Sequence, residues 1–257
     1  MKFSIHKSQE RKVSELNDAI IRHSFNYGQF FNPLREKFGV LRVLNDELLS
    51  PGYCSNERFH KFIEVLVLPL KGSISCTDAT GSRGNADAGS ALLISTGSGL
   101  SYSICNPSPD ESAEVIEIWI FAHKNDRPTG IIELKTSKQN RTGKMQLIAS
   151  GEKTDKEGAG LTFAHNALEV NAAPGLRLNQ NALVWRVELG ENESIGYSLK
   201  VPGNILLLFI IKGAVLINDT AEIVHEGDSV ELNDIDSEVR IKATGDAELL
   251  IIEVPED

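Results

Sequence analysis

The sequence predicts an all-β protein, because strand-like runs fill most of it and helical patterns are rare. Short stretches rich in Val, Ile and Leu are separated by Gly, Asn, Asp or Pro, which is typical of β-strands. These runs are VLVLPL, ALLIS, EVIEIWIF, LVWRVEL, ILLLFIIKG, AVLIN, EVRIKA and AELLIIEV. The best candidate for a short helix is Ser14–Arg22.

The order of these runs repeats within the chain, which indicates a duplicated barrel. Each half has a strand, a Lys-Gly turn, two further strands and a closing apolar strand. The Lys-Gly turns begin at Lys71 and Lys212, and glycines of a second turn stand at Gly89 and Gly227. Antiparallel strands bury their edges by curling into double-sheet rolls, so we expect two jelly-roll barrels.

The repeat also divides the chain. We expect an N-terminal barrel in residues 1–134 and a C-terminal barrel in residues 161–257. Between them, the polar stretch Lys135–Gly160 is the predicted linker, although MQLIA within it has the composition of a strand.

The composition argues against several classes of protein. The formal net charge is −10, and acidic residues are spread over the 257 positions, which disfavours direct binding of nucleic acid. No apolar stretch approaches the ~20 residues of a membrane-spanning helix, so no membrane association is expected. The N-terminus lacks the apolar core of a signal peptide, so we expect a cytoplasmic protein.

A candidate site begins in NERFHKFIE, where Arg58, His60 and Glu64 occupy alternate positions and so share one face of a strand. Gly52 precedes Arg58 by five intervening residues, and Gly72 follows. This resembles the first motif of the cupin barrel, in which histidines and a glutamate converge on one cation. Thr96–Asn106 resembles the second cupin motif, with tyrosine at the histidine position.

The chain is more specifically similar to pirin and the pirin-like bicupins. The resemblance rests on four segments: Phe38–Gly52, His60–Gly72, Ser95–Ser108 and Glu117–Ile120. It implies an all-β bicupin, which is two double-stranded β-helix (jelly-roll) barrels with few short helices. It also implies iron or another divalent metal, and in some members cleavage of quercetin.

This chain departs from that family at the metal ligands. The four ligand places fall on Arg58, His60, Tyr102 and Ile104, of which only His60 is a plausible ligand; Glu64 remains from the general cupin motif. Two donors are too few for a tight transition-metal site, so we expect no metal, with His60 and Glu64 as weak candidates. We expect the Arg58 guanidinium to take the place of the cation and to pair with Glu64. Together these five residues would line a pocket for an anionic or phenolic small molecule.

The three cysteines are Cys54, Cys76 and Cys105. Their odd number and the lack of a C-x-x-C pair argue against a disulfide framework and a zinc knuckle, so reduced thiols are expected. Cys54 and Cys105 flank the candidate pocket, and Cys105 has the opposite strand parity to Tyr102. Incidental thiols are more common than redox or metal-binding ones.

Three functions follow from this reading, and no catalytic residue is assigned. The first is a pirin-like bicupin without its metal that binds a small molecule or acts in regulation. The second is a metal-dependent oxygenase of the quercetin 2,3-dioxygenase type with a displaced metal set. The third is a protein-interaction module in transcriptional or metabolic regulation, for which the acidic surface favours a basic partner.

Overall fold

The structure is a computed structural model that describes residues 1–26, 32–33, 35–124, 128–136, 141–151, 175–218 and 220–256. These residues form an all-β fold, as predicted. Their only helical element is a single 3₁₀ turn, Ser8–Glu10. No helix in the described ranges is long and apolar enough to span a membrane.

The strands are β1 (Lys2–His6), β2 (Lys12–Leu16), β3 (Ala19–His23), β4 (Leu41–Leu49), β5 (Arg58–His60), β6 (Ile63–Lys71), β7 (Ser73–Asp78), β8 (Arg83–Asp87), β9 (Ala91–Ser95), β10 (Leu100–Cys105), β11 (Ala113–Phe121), β12 (Gly130–Leu134), β13 (Met145–Gly151), β14 (Leu176–Leu178), β15 (Leu183–Leu189), β16 (Ser194–Tyr197), β17 (Asn204–Lys212), β18 (Ala214–Ile217), β19 (Ile223–His225), β20 (Ser229–Asn233), β21 (Val239–Ala243) and β22 (Ala247–Pro255).

The N-terminal barrel lies in a compact unit formed by the described part of Arg11–Ser137 with Leu178–Gln180. A seven-stranded sheet in the order β12-β9-β6-β11-β4-β3-β2 faces a four-stranded sheet in the order β5-β10-β7-β8. Buried side chains from both sheets, including Val67, Leu92 and Ile104, form one apolar cluster. This pair of sheets is a jelly-roll barrel.

The C-terminal barrel lies in a second unit, formed by the described part of Met1–Glu10, Lys138–Arg177 and Asn181–Asp257. Its sheets have the orders β1-β20-β17-β22-β15-β13-β14 and β16-β21-β18-β19. The first strand of the chain, β1, therefore pairs with β20 in this barrel. The Asp228 carboxylate accepts the backbone N–H of Ser8 at 2.7 Å and holds the end of that strand.

The predicted internal repeat is present in the turns. Gly72 and Gly213 follow equivalent strands, β6 and β17, and both have positive φ values, 73° and 77°. A Cβ atom at Gly213 would lie 2.1 Å from the carbonyl oxygen of Asp246, so glycine is required there.

Part of the predicted linker is a strand. MQLIA lies in β13, which pairs with β15 of the C-terminal barrel. Residues 137–140 and 152–160 of the linker, and residues 161–174 that follow it, lie outside the described residues.

The predicted helix at Ser14–Arg22 is wrong, because these residues form the hairpin of β2 and β3. Leu16 pairs with Ala19 in register, so Asn17 and Asp18 make a two-residue turn. Asn and Asp are favoured in such turns, and the burial of Ala19 and Ile21 has the two-residue period of a strand.

Candidate functional site

The site lies inside the N-terminal barrel, where β5 and β10 face the larger sheet. Arg58 pairs in register with Tyr102, and His60 pairs with Leu100. Tyr102 and Leu100 belong to the buried core, and register partners share one face of a sheet. Arg58 and His60 therefore point inward, while Phe59 between them is exposed.

Glu64 does not share that face. The chain turns a corner at Lys61 and Phe62, where Phe62 has a φ of 55°, and the next strand, β6, belongs to the other sheet. After the corner Val65 faces the core, so Glu64 lies on the opposite face of its sheet. There it is buried and accepts the hydroxyl of its register partner Ser95 at 2.6 Å. The expectation that one face carries Arg58, His60 and Glu64 is therefore wrong.

The carboxylate beside Arg58 is Glu117, where we had expected Glu64. Arg58 Nη1 donates to Glu117 Oε1 at 2.7 Å, and the side chains are 15% and 3% exposed. The indole N–H of Trp119 donates to the same oxygen at 2.7 Å. Because β11 pairs Glu117 with Val67, a core residue, this carboxylate projects into the barrel.

A second carboxyl group, Glu47, lies beside Glu117 in the barrel interior. Burial and the neighbouring Glu117 charge raise the pKa of Glu47 well above its usual value, although Arg58 opposes this. Burial also acts to raise the pKa of Glu117, but Arg58 and hydrogen bonds from Glu47, Trp119 and Arg58 hold it below its usual value. Glu47 therefore keeps its proton to a higher pH than an ordinary carboxyl group does, and in that form it hydrogen-bonds to the Glu117 carboxylate.

A polar row extends from this pair across the seven-stranded sheet. The register aligns Glu117 with Asn45, and Asn45 with His23. Asn45 Oδ1 lies 3.1 Å from His23 Nδ1, and His23 Nε2 lies 2.9 Å from the hydroxyl of Ser14. The second partner of Asn45 is Glu47, at 3.5 Å. This row holds the Glu47 carboxyl in position through side chains that are themselves hydrogen-bonded.

His60 is a neutral imidazole at the more open side of the site. Its Nδ1 lies 3.1 Å from the hydroxyl of Tyr102, and its ring packs edge-on against Trp119 with centroids 4.4 Å apart. Burial lowers the pKa of His60, and the charge of Arg58 lowers it further. Since Nδ1 is engaged by Tyr102, Nε2 is the ring nitrogen that remains for a ligand.

Tyr53 completes the site from the segment before β5. It is partly exposed, and its phenol lies within hydrogen-bonding reach of the Arg58 guanidinium. Burial raises the pKa of Tyr53, so the phenol stays protonated at neutral pH. Tyr53, Arg58 and His60 are therefore the polar side chains that meet solvent, with Glu117 and Glu47 behind them.

The two remaining predicted residues are core residues. Tyr102 is 1% exposed and Ile104 is 4% exposed. Ile104 pairs with Cys76, and both side chains join the apolar cluster of the N-terminal barrel. Ile104 therefore places hydrocarbon where the family resemblance places a carboxylate ligand.

These residues do not fit the transition metal that the resemblance implies. Of the four ligand places, His60 supplies one imidazole and Arg58 supplies a cation bonded to Glu117. Glu64 lies on the other face of the sheet. Within the described part of the chain, no group of three or more His, Cys, Asp or Glu side chains is arranged to hold a metal ion. Metals of this kind require at least three donors.

Sequence reasoning missed Glu47, Glu117, Asn45 and His23. Their common signal is a polar residue at an inward position, where the neighbouring inward residues of the strand are apolar, as in β3, β4 and β11. That signal identifies a buried polar residue, but only the register shows that Glu117 meets Arg58.

The expectation of reduced thiols is wrong for two of the three cysteines. Cys54 and Cys105 form a disulfide, with Cα atoms 4.1 Å apart, and Cys76 is a buried free thiol. The first two face each other in an isolated antiparallel bridge, although 51 positions separate them in the sequence. Pairing at that distance leaves no signature in cysteine spacing.

Comparison with known proteins places the fold in a family. Residues 6–120 match the family model described as Pirin, and residues 170–254 match the model of the quercetinase C-terminal cupin domain. Pirin-like protein YhaK of Escherichia coli K12 is 31% identical over 181 residues, which cover 70% of this chain and 68% of YhaK.

Two further comparisons cover nearly the whole chain. Quercetin 2,3-dioxygenase of Escherichia coli K12 is 24% identical over 234 residues, which cover 91% of this chain and 90% of that enzyme. The solved structure of bacterial pirin YhhW from Escherichia coli in complex with nickel(II) has a TM-score of 0.83, with 23% identity and 99% of each chain covered. The sequence matches and the two-barrel fold agree, and the chain belongs to the pirin-like bicupin family.

Proposed function

We propose that the N-terminal barrel binds a small organic molecule without a metal ion. The observation that supports this most directly is the ion pair between Arg58 and Glu117. It puts a permanent cation at the first of the four ligand places, and a guanidinium cannot coordinate a metal. A cytoplasmic location is part of the same proposal.

The charges of the site favour a phenolic ligand over a strongly anionic one. The positive charge of Arg58 is already paired with the Glu117 carboxylate, and the lowered pKa of His60 favours its neutral form. An added anion would compete with Glu117 for Arg58.

The solvent-facing groups match a phenol in hydrogen-bonding character. His60 Nε2 accepts a hydroxyl proton in the tautomer that keeps the proton on Nδ1, and the Tyr53 phenol and Arg58 supply donors. The Trp119 ring packs against the His60 ring at this place. Aromatic ligands gain from contacts with aromatic rings in addition to burial of apolar area.

The alternative is oxygenase activity of the kind named for the Escherichia coli relative. Oxygenation of a flavonol by that route requires a bound metal with open positions for substrate. The residues at the four ligand places give little support to it. A role as a regulatory or protein-interaction module remains a separate proposal, which pull-down from a native lysate addresses.

Titration with quercetin, with and without a chelator, tests the proposal. We expect saturable binding that is unchanged in EDTA, no oxygen uptake, and at least about ten-fold weaker binding by His60→Ala. His225→Ala, which removes an exposed histidine of the C-terminal barrel, is the matched control and should bind as the wild type does. Oxygen uptake that EDTA abolishes would contradict the proposal.

A further inference from the structure

The Cys54–Cys105 disulfide joins the two segments that position the site. Cys105 ends β10, three residues after Tyr102. Cys54 lies in the segment that leads into β5, which we call the tether segment (residues 52–57). Tyr53 is next to the disulfide in that segment, and Arg58 follows the segment directly.

The disulfide is open to external reagents, and the third cysteine is not. Cys54 is exposed and Cys105 is partly exposed, so the disulfide lies at the protein surface. Cys76 is 1% exposed, and burial raises the pKa of its thiol to about 12. Thiol exchange requires an accessible thiolate, so Cys76 takes no part in it.

Backbone hydrogen bonds also hold the tether segment. Gly52 N–H donates to Ser108 O, Tyr53 N–H donates to Ser50 O, and Tyr53 O accepts the N–H of Asn106. Ser55 exchanges two hydrogen bonds with Ile104, and the Tyr53 side chain packs against the core cluster. These bonds maintain the strand-like pairing when the disulfide is absent. Asn56 and Glu57, which connect the tether segment to Arg58, are exposed.

We propose that this disulfide is a reversible redox modification site that controls how firmly Tyr53 and Arg58 are held. Its effect on ligand binding rests on the function proposed above, whereas the modification itself does not. A thiolate of a cellular monothiol or protein dithiol attacks Cys54 Sγ, and the S–S bond breaks with Cys105 leaving as a thiolate that takes up a proton. A second thiol then releases Cys54, so two electrons reduce the protein disulfide and one disulfide of the reductant forms.

In the reduced protein the tether segment keeps its backbone hydrogen bonds and gains local mobility. The N-terminal barrel stays folded, because its core cluster does not involve the two sulfur atoms. Disulfides in a reducing cytoplasm are usually transient and redox-sensing, and this behaviour matches the cytoplasmic location proposed above.

Hydrogen–deuterium exchange of the oxidised and dithiothreitol-reduced whole protein tests the proposal. Alkylation after denaturation should label Cys76 alone in the oxidised form and all three cysteines after reduction under native conditions. We expect exchange in residues 52–60 to be at least about ten-fold faster in the reduced form, with the C-terminal barrel unchanged. Cys54→Ser/Cys105→Ser should match the reduced form with or without dithiothreitol, and Cys76→Ser should respond as the wild type does.

Quercetin titration of the two forms separates this proposal from the proposed function. We expect about ten-fold weaker binding by the reduced form. A redox difference in exchange with no quercetin binding by either form would support the modification site and contradict the ligand proposal. Equal hydrogen–deuterium exchange in both forms would contradict the proposal that the disulfide holds Tyr53 and Arg58. Equal quercetin affinity despite different exchange would contradict its proposed effect on ligand binding.

Discussion

Arg58 donates to Glu117 at 2.7 Å across the N-terminal barrel, from the small sheet to the large one. The same carboxylate accepts a hydrogen bond from the indole N–H of Trp119 and is hydrogen-bonded to the carboxyl group of Glu47. One cation and two carboxyl groups therefore form a hydrogen-bonded buried unit.

Removing one partner of the ion pair should destabilise the protein, whereas removing both charges should cost little. Arg58→Met leaves the Glu117 carboxylate buried without its cation, which should lower the free energy of unfolding by about 3–5 kcal/mol. Arg58→Met/Glu117→Gln should recover most of that loss, because neither charge remains. Urea denaturation of the wild type, both single variants and the double variant measures the coupling. Additive losses would show that the pair is not energetically coupled.

Glu47 should make stability depend on pH in a defined direction. Its pKa is raised in the folded protein, so the folded state binds this proton more tightly than the unfolded state does. The contribution of Glu47 is therefore fully present below the ordinary carboxyl pKa of 4.5 and is lost as the pH rises toward the raised value.

The matched variant for this prediction is Glu47→Gln, which keeps the shape and removes the titration. We expect the stability of the wild type to fall relative to Glu47→Gln as the pH increases from about 5 to 8 in urea denaturation. A difference that stays constant over that range would show that Glu47 is ionised in the folded protein.

Glu64 should matter for stability and not for ligand binding. It is buried on the face of β6 opposite to Val65 and bonds to Ser95. Glu64→Gln should lower the free energy of unfolding by about 1–2 kcal/mol while leaving the affinity for quercetin unchanged. Urea denaturation and quercetin titration of the same preparation check both parts. A loss of affinity comparable to that of His60→Ala would show that Glu64 takes part in ligand binding.

The disulfide should stabilise the protein without being required for folding. The closed loop spans 51 positions, for which chain entropy gives about 4 kcal/mol as an upper estimate. Cys54→Ser/Cys105→Ser should therefore fold, with a lower urea midpoint and an unchanged circular dichroism spectrum. A spectrum of an unfolded chain would contradict this expectation.

The sequence allowed the fold to be predicted because its evidence is local and repeated. Strand composition and the turns at Gly72 and Gly213 can be recognised directly in the amino-acid sequence. The predicted inward direction of Arg58 and His60 is correct up to the end of β5. The same prediction is wrong for Glu64, because Phe62, a residue with positive φ, lies between the two strands and Glu64 takes the opposite face.

The partners within the site could not be predicted because they come from distant strands. Glu117 and Arg58 are 59 positions apart, and only the pairing of β11 with β4 and β6 brings the carboxylate into the barrel. The disulfide depends in the same way on the approach of two remote segments. The failed helix at Ser14–Arg22 has a different cause, because Asn17 and Asp18 form a turn that a helical pattern does not show.

The central claim is the proposal that Arg58, paired with Glu117, takes the place of a metal ion beside His60. Anomalous scattering at the nickel edge from crystals of the protein grown with nickel(II) tests it most directly. We predict no anomalous peak within about 2–3 Å of His60 Nε2 and electron density that joins Arg58 to Glu117. A full-occupancy peak bonded to His60, with Arg58 displaced from Glu117, would contradict the account.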